Sequence, residues 1–178
     1  MMKPHLAIPV LVLLAACAKE TPKPAAAPPA SAPKPPAEAP APAPTPAAAP
    51  GVVDMDKAIQ ELMAKPEQPD ESIQIQHVLI AFKGVPRVPN VTRSKEEAKA
   101  LAEKVYAEAI GGADFLELVK QYTNDSAPGI YPVTKAGRAG WAKWFADVGF
   151  RLKVGEIGVA PWDAAASPFG WHIIKRVK

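Results

Sequence analysis

The sequence predicts an α+β domain, a small antiparallel β-sheet surrounded by helices, carried by residues 72–178. Two segments of strand length, 72–82 and 171–177, are rich in Ile, Val and Leu. Between them run three stretches with apolar residues at helical spacing, the first two opened by N-cap residues. Composition sets the limits of the domain. Of the 22 prolines, 12 lie in 21–50 together with 12 alanines. Without that stretch and the segment before it, roughly 128 residues remain, enough for one core and not for two.

The elements follow in order. Residues 54–65 predict a short amphipathic helix with Met55, Ile59, Leu62 and Met63 on one face, stopped by Pro66 and Pro69. It forms a helical lead-in, 51–71, to the domain proper. In 72–82, Ile73, Ile75, His77 and Leu79 alternate with Gln74, Gln76, Val78 and Ile80. The first half of this strand has one wet face and the second half is buried on both. His77 therefore sits on an apolar strand face, an unusual place for a titratable ring. After a loop containing Pro86 and Pro89, Ser94-Lys-Glu-Glu97 is a capping box. Ala98, Leu101, Ala102, Val105 and Ala109 form the buried stripe of the helix it opens, and Gly111-Gly112 ends that helix.

Asp114 caps a second helix with Phe115, Leu118, Val119 and Tyr122. The run Thr123-Asn-Asp-Ser-Ala-Pro-Gly129 is turn-forming, and by itself Asp125 there is an Asx-turn residue. Residues 130–134 predict a short strand that Pro132 confines to a sheet edge. Residues 141–152, with Trp141, Trp144 and Phe145, predict a third helix. Val154-Gly155-Glu156 turns into a strand near 157–162, and Phe169-Gly170 leads into the last strand, with His172 near its start.

Residues 51–178 hold 17 Lys and Arg against 16 Asp and Glu. That balance lacks the single-signed field that nucleic-acid binding needs, so no nucleic-acid partner is expected. Lys175, Arg176 and Lys178 are expected as a solvated strand end, and Lys83, Arg87 and Arg93 as a solvated loop.

The N-terminal part predicts an address. Lys3 precedes an apolar run, 6–14, too short to span a bilayer core of roughly 30 Å as a helix. It ends in Leu14-Ala-Ala-Cys17, which resembles the lipobox of bacterial lipoproteins and holds the only cysteine of the chain. The resemblance implies a signal peptide, 1–16, and lipid on Cys17, a membrane anchor held by several acyl chains. Cleavage after Ala16 with an unmodified cysteine is the competing reading. Ala18, where Asp is absent, favours the outer membrane facing the periplasm, by resemblance to enterobacterial sorting. The rest of 17–50 is a Pro/Ala-rich linker with no large apolar residue in 21–50. As extended polyproline-type chain its thirty residues reach on the order of 90 Å.

Five stretches of the domain, taken together, resemble the parvulin-type (PpiC-like) peptidyl-prolyl cis–trans isomerases. They are IQIQHVLIAF (73–82), SKEEAKALAEKVYAEAIGGADFLELVKQYTND (94–125), WFADVGFRLKVGEI (144–157), SPFG (167–170) and WHIIKRV (171–177), in family order. The resemblance implies a parvulin-like fold and a site without cofactor or metal. It assigns His77 and His172 to a paired-imidazole site, Asp125 to the position of an Asp or Cys, and Ser167 to a hydroxyl in the same network. Phe145 matches the aromatic that packs on the substrate proline, and Trp141 lies where a smaller Met or Leu lines that pocket. Of the three histidines, His5 falls in the signal segment, so both that remain fall on the implied site.

The resemblance frays between Asp125 and Phe145. The family's Gly-Gly-Asp-Leu-Gly stretch falls on Ile130-Tyr-Pro-Val-Thr134, which lacks all three glycines and the acid, Val133 standing in for the leucine. The implied activity is isomerisation of proline-containing exported polypeptides by stabilising a twisted amide. Asp125 is implied near the rotating carbonyl, repelling its oxygen if ionised or donating to it if protonated. The alternatives are a parvulin-fold chaperone or peptide-binding module with little turnover, and a structural envelope lipoprotein.

Overall fold

The computed structural model describes residues 53–178; the expectations for the signal peptide, Cys17 and the linker lie outside these residues. Helix α1 (Met55–Ala64) is capped by Asp54, whose carboxylate accepts from the Lys57 backbone N–H at 2.9 Å. It buries Met55, Ile59 and Leu62 and stops one residue before Pro66 is reached, at Lys65. Strand β1 (Ser72–Ile80) runs through the middle of the domain. Helix α2 (Lys95–Ile110) opens with both halves of the Ser94/Glu97 capping box in place. Asp114 caps α3 (Phe115–Tyr122) through the Glu117 backbone N–H. Then come β2 (Ile130–Thr134), a 3-10 turn (Arg138–Gly140), α4 (Lys143–Arg151), β3 (Ile157–Ala160) and β4 (Trp171–Arg176).

The sheet has the order β2-β1-β4-β3, and every neighbouring pair is antiparallel. Strand β2 is an edge, which accommodates Pro132 opposite Gln74. Register sorts the side chains onto two faces. Val78, Ile80, Val159, Trp171 and Ile173 face α2 and α3 and pack with Ala98, Val105, Phe115 and Val119. Ile73, Ile75, Val133 and Ile174 face α4 and pack with Phe145, Ala146, Val148 and Phe150. Helix α1 contributes to both clusters, Met55 and Ile59 to the first and Leu62 to the second. The result is three layers, helices on both faces of one small sheet.

The structure departs from expectation at three places. The third helix begins at Lys143, because Trp141 closes the 3-10 turn by donating its N–H to the Arg138 carbonyl at 3.1 Å. Arg176 is buried: it pairs with Asp70 at 2.9 Å and donates to the Leu152 carbonyl at 2.9 Å. Arg93 likewise turns inward, donating to the Ala81 carbonyl at 3.0 Å and to Asn124 Oδ1 at 2.7 Å. In both cases a long aliphatic stem carries a charge to backbone carbonyls that the sequence pattern alone does not reveal.

Candidate active site

The second half of β1 carries the candidate site, and its backbone explains how. Strand β2 pairs only with Ser72–Gln76, so beyond Gln76 one edge of β1 lacks a strand partner among the described residues. The loop 123–129 takes that place. Gly129 accepts from the His77 N–H at 2.9 Å, and Asn124 donates its N–H to the Leu79 carbonyl at 2.8 Å. The Leu79 N–H reaches Thr123 Oγ1 at 3.1 Å, and the Ala81 N–H reaches Asn124 Oδ1 at 3.0 Å. Buried strand donors are thereby satisfied by side chains, and Asp125 is left at the sheet edge beside His77. Gly129 has φ +66°, and a Cβ there would stand 2.6 Å from the His77 carbonyl oxygen. Only glycine lets the loop approach His77 so closely.

The register pairs Leu79 with His172 and His77 with Ile174, so the two histidines are diagonal neighbours on the α4 face. Gly170 sets the entry to β4: its φ is +139°, and a Cβ would meet the Ile80 carbonyl at 2.3 Å. The imidazoles lie nearly parallel, with an interplanar angle of 16°, and their Nδ1 atoms are 3.1 Å apart. His77 Nε2 stands 3.1 Å from Asp125 Oδ2. The Tyr131 hydroxyl donates to the same oxygen at 3.0 Å. Phe145 meets both imidazoles edge-on, at 5.1 and 5.2 Å between centroids. Trp141 stacks on Phe145 at 5.4 Å and 22°, and meets Tyr131 edge-on at 5.5 Å.

Charge on the site follows from these contacts. Burial alone would raise the Asp125 carboxyl. The His77 hydrogen bond, the Ser126 backbone N–H and the Tyr131 hydroxyl outweigh it and hold it down to about 2. Burial, reinforced by the Asp125 charge and the hydrogen bond to it, pushes the Tyr131 phenol up to about 12. Burial first, and His77 second, push His172 down to about 3, so it is neutral at physiological pH. An ionised Asp125 only accepts, which fixes His77 Nε2 as a protonated nitrogen. If His77 is neutral, its Nδ1 accepts from His172 Nδ1–H and leaves His172 Nε2 a bare acceptor. A proton on His77 reverses the middle bond and makes His172 Nε2 a donor. That atom is buried and has no hydrogen-bond partner among the described residues.

Of the residues singled out from the sequence, the structure brings His77, His172, Asp125, Phe145 and Trp141 together. Val133 is fully buried beneath them, opposite Ile73. Ser167 is also buried, but its hydroxyl reaches only the Gly170 carbonyl, at 3.5 Å, and is not bonded to either imidazole. Phe145 is only 3% exposed, so Trp141 rather than Phe145 faces the solvent side of the aromatic stack. Sequence reasoning missed Tyr131, Thr123, Asn124 and Arg93. The Thr-Asn-Asp run was visible as turn chemistry, whereas Tyr131 carried no signal beyond replacing a family glycine. Among the described residues no group of three or more His, Cys, Asp or Glu side chains is placed to hold a metal ion. No helix among them is long and apolar enough to cross a membrane.

Comparison with known proteins agrees with this architecture. Chaperone SurA of Pseudomonas fluorescens is 29% identical over 111 residues, covering 59% of this chain and 22% of SurA. Foldase protein PrsA of a Geobacillus species is 36% identical over 80 residues, covering 42% of this chain and 26% of PrsA. The chain thus spans a minor part of the length of these curated relatives. Among solved structures, peptidyl-prolyl isomerase ESS1 from Candida albicans shares the fold, with a TM-score of 0.53 at 19% identity over 70% of this chain and 73% of that one. The family model described as "PPIC-type PPIASE domain" matches residues 58–178, which takes in the whole sheet, both imidazoles and Asp125. On that match the chain belongs to the PpiC-type peptidyl-prolyl isomerase family, the parvulins.

Proposed function

We propose that residues 72–178 form a peptidyl-prolyl cis–trans isomerase domain that assists the folding of exported proteins. Family membership over the folded part of the chain is the observation that carries this reading. The Asp125–His77–His172 chain beside an aromatic stack supports it. Rotation about a peptide bond faces a barrier of about 18–20 kcal/mol, and X-Pro bonds cross it unaided in tens to hundreds of seconds. The catalyst has only to bind the twisted amide better than either planar isomer.

The ionised Asp125 selects between the two roles open to it. It does not donate to the substrate carbonyl; its negative charge disfavours the planar amide whose oxygen points toward it, and favours the oxygen turned away. His77 and His172 orient this carboxylate and move no proton to substrate. The proline ring is held against Phe145, with Trp141 turned aside, while the carbonyl swings.

A second reading has its own observation. The stacking of Trp141 on Phe145, with Phe145 3% exposed, favours a peptide-binding module of low turnover, because a proline ring reaches Phe145 only when Trp141 gives way. Exchange spectroscopy on a proline-containing peptide separates the two. The isomerase reading expects acceleration that falls about 10- to 100-fold in Asp125→Asn and in His77→Ala. Binding without acceleration, at any protein concentration, would leave the second reading standing.

The address belongs to the same proposal. A lipid on Cys17, after removal of residues 1–16, would anchor the chain to the envelope, with 17–50 as a spacer and 51–71 as the lead-in. The Leu-Ala-Ala-Cys sequence supports the lipid, and Ala18 supports the outer membrane facing the periplasm. Palmitate labelling of the full chain tests this, and retention of label in Cys17→Ser would sink it.

A further inference from the structure

We propose that Tyr131 is a positioning residue for Asp125, a second clamp on the carboxylate that this chain places where the family pattern has a glycine. The inference rests on the isomerase reading for its consequence, but the clamp itself is a matter of geometry. Strand β2 pairs Tyr131 with Ile75, which puts its side chain on the same sheet face as His77, two residues further along β1. From there its ring meets His77 edge-on at 5.3 Å, and its hydroxyl donates to Asp125 Oδ2 at 3.0 Å. Trp141 abuts the other side of the phenol ring at 5.5 Å and limits its swing.

The carboxylate needs such a clamp. Asp125 sits on a loop, its side chain 27% exposed, with one imidazole from β1 as its only other side-chain partner among the described residues. The His77 bond to one oxygen, with the Ser126 N–H of its own loop, ties the carboxylate to a loop and a single strand. A second donor on the same oxygen, from a different strand, fixes its direction. The groups facing Asp125 are His77 from β1, with His172 of β4 behind it, Tyr131 from β2 and the Ser126 backbone N–H of its own loop. His77, Tyr131 and the Ser126 N–H favour the ionised form, and of these only His77 and Tyr131 do so through side chains. Tyr131 thus does from the edge strand what a glycine there cannot.

Tyr131→Phe in the full chain isolates the hydroxyl, since the ring and its contacts with His77 and Trp141 stay. Two readouts apply. Asp125 13C titration by NMR is expected to move its midpoint up toward the ordinary carboxylate value. Peptide exchange is expected to lose about tenfold in kcat with KM within about twofold, a loss absent when the same change is made in Asp125→Asn. Labelling the tyrosines with 3-fluorotyrosine, which makes the phenol a stronger donor, should move the Asp125 midpoint the other way without altering the fold; it serves if the Phe variant folds poorly. An unchanged midpoint in both, or an equal loss of rate in the Asp125→Asn background, overturns the proposal. Wild-type protein that accelerates nothing, yet shows the shifted midpoint in Tyr131→Phe, would sink the isomerase reading and leave the clamp in place.

Discussion

Two polar clusters lie on either side of the Trp141–Phe145 stack, and they are cross-linked to different degrees. On one side the buried carboxylate of Asp147 accepts from Arg138 and Lys143. Arg138 also grips Glu67 with two nitrogens, at 3.0 and 2.6 Å. Arg151 bonds both Glu67 and the Asp147 carbonyl. The two carboxylates are held below their usual range, Glu67 mainly by the Arg138 hydrogen bond and Asp147, against its burial, by Lys143 and Arg138. On the other side Asp125, His77 and His172 form a single file with one bond per link. It ends at an unpartnered His172 nitrogen and begins at a carboxylate that solvent can reach. The first network is cross-linked, with several charged bonds to each carboxylate; it leaves Arg151 Nε buried without a hydrogen-bond partner among the described residues, and it ties α4 to the residues before β1. A file with one bond per link can respond to a ligand at either end. The degree of cross-linking, more than the number of charges, separates scaffold from candidate site.

The largest effect that tests this contrast is on stability. Asp147→Ala strips the buried partner from Arg138 and Lys143 and should cost about 3 kcal/mol of unfolding free energy, read by urea titration. The folded fraction should keep its isomerisation rate within about threefold. Asp125→Asn should show the mirror image, a change in stability under about 1 kcal/mol with most of the catalytic rate gone. If Asp147→Ala proves harmless to stability but abolishes catalysis, the contrast is inverted.

The next effect is a pH dependence peculiar to the site. In the unfolded chain His172 takes up a proton near its ordinary value of 6.5, whereas in the folded protein it resists until about 3. The folded-state value is depressed, so its contribution to stability is full above pH 6.5 and is lost as pH falls through that window. The unfolded state binds the extra proton, so the loss between pH 7 and 5 should approach about 2 kcal/mol. Asp125 adds a separate loss below its ordinary 3.8, continuing to about 2. Urea unfolding at pH 7 and pH 5 measures the first window, and His172→Leu should flatten it. An unchanged slope in that variant would mean that the burial of His172 is not what sets the acid sensitivity.

How much of this was legible follows from what each feature depends on. The order of elements depends on local patterns, the Ser94/Glu97 box, the Asp54 and Asp114 caps, and alternation along β1, all of which occur within a few residues. The edge position of β2 was legible because Pro132 has no N–H to give a second neighbour. His77 stood out as a polar ring on an apolar face, but its partnership with His172 depends on a register between residues 95 apart, which only the family resemblance suggested. The Thr123 and Asn124 clips, the inward turn of Arg93 and the Tyr131 clamp depend on where an unpaired strand edge falls. No local pattern encodes that. Arg176 and Arg138 misled or escaped the reading for the same reason, since a charge on a long stem chooses its partner in three dimensions.

The smallest effect sharpens the boundary between the two clusters, where Trp141 stands. Its ring contacts Phe145 and Tyr131 on the site side, and it adjoins the groove of Arg138, Lys143 and Asp147 on the other. Replacing it by Leu removes a stacked aromatic contact worth about 1 kcal/mol, which a proline ring must otherwise displace to reach Phe145. Trp141→Leu should therefore bind a proline-containing peptide about fivefold more tightly by NMR titration, with both polar clusters intact in the spectrum. Weaker binding would mean the opposite arrangement, in which the proline rests on the indole itself and Phe145 only supports it from beneath. Either result turns on this one ring, because Phe145 is buried and Trp141 is the aromatic that stands in front of it.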